Sequence, residues 1–323
     1  MRIVSVVLLL TSVIFAQTTA MDLPPSDNSR IAEFYRLASQ IQDKVWPGWS
    51  STPAPLLLVT PDREFLTHYP EPPKEFTKIR EDLYTRPQQF PTTLLATFPA
   101  FGPQSVIVIG EPANTEAKTS TPWLFVVLHE HFHQLQDGQP GFYDRVKGLG
   151  LAHGDETGMW MLNFPFPYEK PALKTSFAKL RDSLLTALSE TDESKFGALA
   201  KQYAAERATF LGQLSVEDRK YLSFQLWKEG IARYVQIKCA EAAAGYQPTP
   251  DFRGLPDYES FESYARRARQ DTLDELKKAD LAAWKRVVVY SFGASEGLLL
   301  DRLNPQWKEG YFQNLFTLDP YFE

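Results

Sequence analysis

His129-Glu130-His131-Phe132-His133 concentrates more chemically capable side chains than any other stretch of the chain. It contains the pattern H-E-x-x-H. On a helix, residues four apart share a face, so His129 and His133 can offer imidazole nitrogens to one metal ion while Glu130 stands beside them. A metal held there lowers the pKa of its water and polarises a carbonyl; Glu130 is then the base that takes a proton during attack and passes it to the leaving group. Zinc is the expected ion, although two imidazoles and a carboxylate also suit iron, cobalt and nickel. His131 points off that face and is expected to be structural or to support the ligands. On a strand, His129, His131 and His133 would instead share one side as a triple-histidine site. The helix start and stop signals around the segment argue against that, and a di-iron bundle would need a second E-x-x-H, which the sequence lacks.

A catalytic zinc site usually takes three protein ligands, so one more is required. Two segments offer it. Leu226-Trp227-Lys228-Glu229-Gly230-Ile231-Ala232-Arg233-Tyr234 carries Glu229 on the helical side of Leu222, Leu226 and Ala240, although Arg233, four residues on, also suits an ordinary ion pair. Ala152-His153-Gly154-Asp155-Glu156-Thr157-Gly158 carries His153, Asp155 and Glu156, any of which could ligate or bind substrate.

H-E-x-x-H followed on a later helix by W-x-E-G-I-A-x-Y resembles the gluzincin metallopeptidases. The resemblance implies His129, His133 and Glu229 as zinc ligands and Glu130 as catalytic base. It covers two short motifs and their order. The separation between His133 and Glu229 is longer than in thermolysin-like members and implies an inserted segment; His153 stands near the thermolysin-like spacing but without the motif. Tyr290-Ser291-Phe292-Gly293 looks similar to a segment that supplies a tyrosine to the developing oxyanion, which implies a catalytic role for Tyr290 beside the plainer one of a core tyrosine. The resemblance therefore implies a zinc metallopeptidase acting on a peptide or protein substrate. A zinc hydrolase of a non-peptide amide or ester, or a non-catalytic metal-containing binding module, remain the alternatives.

The elements that must position these residues are legible in outline. Ser29 to Val45 has helical spacing, and short branched runs at Leu56 to Thr60, Thr93 to Phe98 and Val106 to Ile109, bounded by Pro and Gly, predict strands. Thr121-Pro122 reads as the start of the histidine helix and Gly138 as its stop. Gly141 to Tyr168 reads as irregular, and its aromatic part, Met159 to Tyr168, as cleft lining or core. Helices are predicted over Ala172 to Leu188, Ser194 to Leu211, Val216 to Ala244, Tyr258 to Lys278 and Leu281 to Leu303. The class is α+β: a small N-terminal sheet (about 50–140) beside the H-E-x-x-H helix, then a mainly helical C-terminal half (about 170–323), in one metallopeptidase-like catalytic domain over 21–323. By analogy of fold, the sheet edge, taken as Val106 to Ile109, would align an extended peptide beside the metal.

The 323 residues, 43% hydrophobic and 23% charged, suffice for a buried core. A net charge of −6 without a Lys/Arg block argues against nucleic acid. Residues 1–20, with Arg2, the apolar run Ile3 to Phe15 and a small-residue end, predict a signal peptide, hence a secreted or periplasmic protein with no membrane span after cleavage. The single cysteine, Cys239, excludes an internal disulfide and sits in an alanine-rich helical stretch, so a small buried hydrophobe is expected there.

Overall fold

The computed structural model describes residues 22–323, and the leader expected over residues 1–20 lies outside them. Pro25 opens α1 (Pro25–Val45) at a position where a missing N–H costs nothing. Ile31, Phe34, Leu37, Ala38 and Ile41 recur along α1 at helical spacing, and all are buried. Six strands follow: β1 (Leu56–Val59), β2 (Arg63–Thr67), β3 (Thr77–Arg80), β4 (Leu83–Pro87), β5 (Leu95–Phe98) and β6 (Val106–Gly110). They form one sheet in the order β3-β4-β2-β1-β6-β5. β1 and β6 run parallel; every other neighbouring pair is antiparallel.

β1 and β6 are buried at every position, as strands covered on both faces must be. Leu56, Leu58, Ile107 and Ile109 face the helical core, while Leu57, Val59, Val106 and Val108 pack under Phe76, Phe98 and Phe101 on the far face. Val106 to Ile109, expected at the open edge, is therefore interior, and the half-buried β5 takes the edge instead. The Gly110 N–H donates to the Leu94 carbonyl at 2.9 Å. Because paired residues alternate in an antiparallel ladder, Leu95 and Thr97 turn their backbone N–H and C=O outward at that edge.

The helices that complete the chain are α2 (Ser120–Asp137), α3 (Phe142–Gly148), α4 (Trp160–Asn163), α5 (Pro171–Ser189), α6 (Glu193–Gly212), α7 (Val216–Gln225), α8 (Ile231–Ala242), α9 (Pro250–Arg253), α10 (Phe261–Lys278), α11 (Leu281–Trp284), α12 (Val288–Leu303) and α13 (Trp307–Gly310). The protein is mixed α+β, with the sheet early and helices late. Among the described residues no helix is long and apolar enough to cross a membrane.

Four expectations are corrected. α2 starts at Ser120 with Thr119 at the N-cap, so Thr121 does not cap it. Its first turn is satisfied from a distance: the Asp257 carboxylate accepts from the Ser120 N–H at 2.9 Å and from the Ser120 hydroxyl at 2.6 Å. The single helix expected over Val216 to Ala244 is broken by a π turn, Leu226–Gly230. Leu281 to Leu303 is broken at Lys285, whose φ of +50° no helix interior tolerates. Finally, the stretch read as irregular holds α3 and α4.

Candidate metal centre

α2 packs on β5 and β6 on one side and on α8 on the other, so its middle is enclosed. His129, Glu130 and His133 are buried there, with ligand atoms all within 4.8 Å of one another. Glu229 enters from the π turn, its Oε2 3.4 Å from His133 Nε2 and 3.9 Å from His129 Nε2. A direct charged hydrogen bond would be about 2.7–2.9 Å. Ligands of a tetrahedral zinc with bonds of about 2.0–2.2 Å lie about 3.3–3.5 Å apart. The separations fit donors that face a common ion, with His129 the looser of the two imidazoles.

Proximity alone leaves Glu130 and Glu229 as rival third ligands, and hydrogen bonding separates them. The Thr97 hydroxyl on β5 lies 2.8 Å from Glu130 Oε2 and 3.0 Å from the Glu130 carbonyl, which ties this side chain to the sheet edge. Glu229 Oε2 is aimed at both imidazole Nε2 atoms. The donor set that fits a metal is His129, His133 and Glu229, with Glu130 alongside.

Gln136, one turn beyond His133, fixes the chemistry of that ring. Its amide nitrogen donates to the Trp227 and Lys228 carbonyls, each at 3.1 Å, and to the Tyr311 hydroxyl at 2.8 Å. Those contacts orient the amide so that its oxygen meets His133 Nδ1 at 2.6 Å. Nδ1 must then carry the proton, which leaves the Nε2 lone pair free for a metal. The π turn contributes directly, since both carbonyls belong to it. His129 Nδ1, by contrast, is buried without a partner.

Charge follows the same geometry. Burial would raise the Glu229 carboxyl, but the two imidazoles outweigh it and hold the group well below the ordinary range, so it is ionised. Burial pushes His129 below the ordinary imidazole value and keeps it neutral, as a ligand must be. Burial and the Lys228 cation push His133 down too, yet Glu229 and Glu130 outweigh them and its pKa lies above the ordinary value.

Tyr290 stands in the first turn of α12, its ring 6.3 Å from that of His129. Gly230 and Gly293 explain the closeness. A Cβ built on Gly230 would lie 2.6 Å from the Gly293 Cα, so only glycine at both positions lets the Glu229 segment and α12 cross in backbone contact. Burial, then the Glu229 charge, pushes the Tyr290 phenol up. Arg286 donates to the Tyr290 hydroxyl at 3.2 Å, which leaves the phenol proton free to be donated elsewhere.

The other expected residues lie apart. His131 is buried between Phe34 and Trp49 and bonded to Gln134; burial pushes its pKa down to about 4. His153 is half exposed and faces Glu217 at 3.4 Å. Asp155 caps the backbone of Thr157 and Trp160, and Glu156 is exposed. Cys239 is fully buried. The aromatic run divides: Phe164 and Phe166 are core, while Leu162, Pro165 and Tyr168 line a cleft beside Arg286. Thr97, Gln136, Arg286 and Tyr311 escaped the sequence reading. Only Gln136 was signalled there, by its i+3 spacing from His133. Comparison of the chain with protein-family models, with curated proteins and with solved structures finds no match.

Proposed function

We propose that the protein is a zinc-dependent hydrolase of the metallopeptidase type, with His129, His133 and Glu229 as ligands and Glu130 as general base. The observation that carries this reading is the convergence of two imidazole Nε2 atoms and one ionised carboxylate oxygen at ligand spacing, with the His133 tautomer set by Gln136. Bound zinc supplies a Lewis acid and an acidified water. Glu130 accepts one proton of the attacking water and returns it to the departing nitrogen, so that OH ends on the acyl carbon and H on the amine. The Thr97 hydroxyl positions Glu130 for that exchange. Tyr290, its oxygen engaged by Arg286, donates its own proton to the oxygen that gains charge. The outward N–H and C=O of Leu95 and Thr97 align an extended peptide along β5. A sheet edge lying beside an H-E-x-x-H helix, with a carboxylate from a later helix, also supports the gluzincin-like reading.

Elemental analysis of purified protein beside folded His133→Ala and Glu229→Ala variants is the deciding test. The expected result is about one zinc per wild-type chain, lost in both variants. Hydrolysis of a peptide library by the wild type, absent in a zinc-loaded Glu130→Gln variant, then establishes the activity. A folded wild type that takes up no zinc sinks the reading, and hydrolysis of small esters but no peptide replaces the substrate class.

A further inference from the structure

The partly or fully buried arginines of the helical half are Arg181, Arg207, Arg233, Arg286 and Arg302. Four of them meet a carboxylate. Arg286 meets none among the described residues. Its hydrogen bonds come from Nη1 alone, to the uncharged Tyr290 hydroxyl at 3.2 Å and Gln225 Oε1 at 3.4 Å. Among the described residues Nε and Nη2 donate to nothing, so a guanidinium with half its fork spare sits half-buried beside the candidate metal centre. Withdrawing a cation from water without a counter-charge is costly unless something arrives to pair with it.

Its surroundings point the same way. Arg286 lines a cleft of about 560 Å³ together with Leu162, Pro165 and Tyr168. Lys285 and Lys170 stand on the rim with Glu169 as the one acid, so the cleft carries net positive charge in a protein whose net charge is −6. The left-handed φ of Lys285, +50°, is a conformation that a lysine adopts only under constraint, and it turns the chain from α11 into the segment that presents Arg286. Glu229 acts on Arg286 through charge alone, and its carboxylate is directed at the two imidazoles.

We infer that Arg286 holds a carboxylate of the substrate, so that the hydrolase acts on carboxylate-bearing peptides or N-acyl amino acids. The planar fork matches a carboxylate with two parallel N–H bonds, and the cleft wall takes the adjoining side chain. The main-chain carboxylate of a peptide lies on the amine that departs, which makes the action release of C-terminal residues. The inference rests on the zinc-hydrolase reading of the neighbouring centre.

Binding separates the two. Zinc-loaded Glu130→Gln protein, which holds substrate without turning it over, is titrated with dansyl-Gly-Phe as the free acid and as the C-terminal amide. A second arm compares the amides of dansyl-Gly-Asp and dansyl-Gly-Asn. The acid is expected to bind about tenfold or more tightly than its amide, the difference to vanish in Arg286→Gln and to survive in part in Arg286→Lys, a charge without the fork. Preference for the Asp amide over the Asn amide, with acid and amide of the first pair equal, keeps the clamp and moves the carboxylate to a side chain. Equal binding in both arms, binding of no probe, or a preference that outlasts Arg286→Gln overturns it. An Arg286→Gln variant that slows hydrolysis of acids and amides equally also overturns it, since that is what mere support of Tyr290 would produce. Zinc content of the same samples reports on the metal centre independently: full zinc without discrimination removes the clamp alone, and discrimination without zinc removes the hydrolase reading alone.

Discussion

Two buried polar clusters flank α12, and they are built differently. In the one beneath its middle, Arg207 meets Glu296 at 2.5 Å and Asp319 at 2.6 Å, Tyr203 donates to Glu296 at 2.6 Å, and Arg219 reaches Asp319 at 2.7 Å. At its N-terminal end, Glu229 stands 3.4 and 3.9 Å from two imidazoles. Opposite charges in the first cluster have closed on each other; donors in the second are held apart by the surrounding fold. Removing one partner from a closed cluster strands a buried charge, whereas a cluster kept open leaves donor atoms free to meet a ligand.

The contrast can be broken at its strongest point by neutralising one carboxylate in each cluster. Glu296→Gln leaves Arg207 with only Asp319 and is expected to cost about 3 kcal/mol in urea unfolding while zinc content is unchanged. Glu229→Gln is expected to do the reverse, with zinc lost and the metal-free stability little altered. Next in size, Tyr290→Phe is expected to lower kcat about 100- to 1,000-fold with KM nearly unchanged, read from steady-state kinetics on a cleaved peptide. Gln136→Ala frees the His133 ring and is expected to weaken zinc binding about 10- to 100-fold in a chelator competition. The smallest effect sharpens the closed cluster. Burial would raise the Asp319 carboxyl, but Arg207 and Arg219 outweigh it and set it below the ordinary value of 3.8. Its contribution is therefore complete above that value and lost as pH falls through the lower, folded one. Asp319→Asn should remove this acid-limb dependence, at under about 1 kcal/mol near neutrality, in unfolding curves taken from pH 2 to 7.

How much of this was legible follows from where each feature is encoded. The histidine helix, its apolar surroundings and the glutamate on a later helix were readable because each lies in a contiguous segment with its own period. β2 and β4 were not, because Glu64 and Arg86 face each other across the pair as a buried ion pair at 2.6 Å, and charge at core positions hides a strand. The open edge was misassigned because β5 and β6 are both short and apolar, and order within a sheet depends on partners far along the chain. The π turn left no local trace: Leu226 to Gly230 is ordinary helical sequence, and its break is fixed by Gln136, Tyr311 and the Gly293 crossing. The gluzincin-like motifs singled out His129, Glu130, His133 and Glu229, which the fold brings together; nothing in them named Arg286.

The capping of α2 by Asp257 bears on the order of events during synthesis. An 18-residue helix is marginal on its own in water, and this one begins on a carboxylate 137 residues further along the chain. Both histidines leave the ribosome well before Glu229 and Asp257 exist. A metal taken up in the mature geometry would thus arrive late, a seal on a finished fold and not the seed from which it grows.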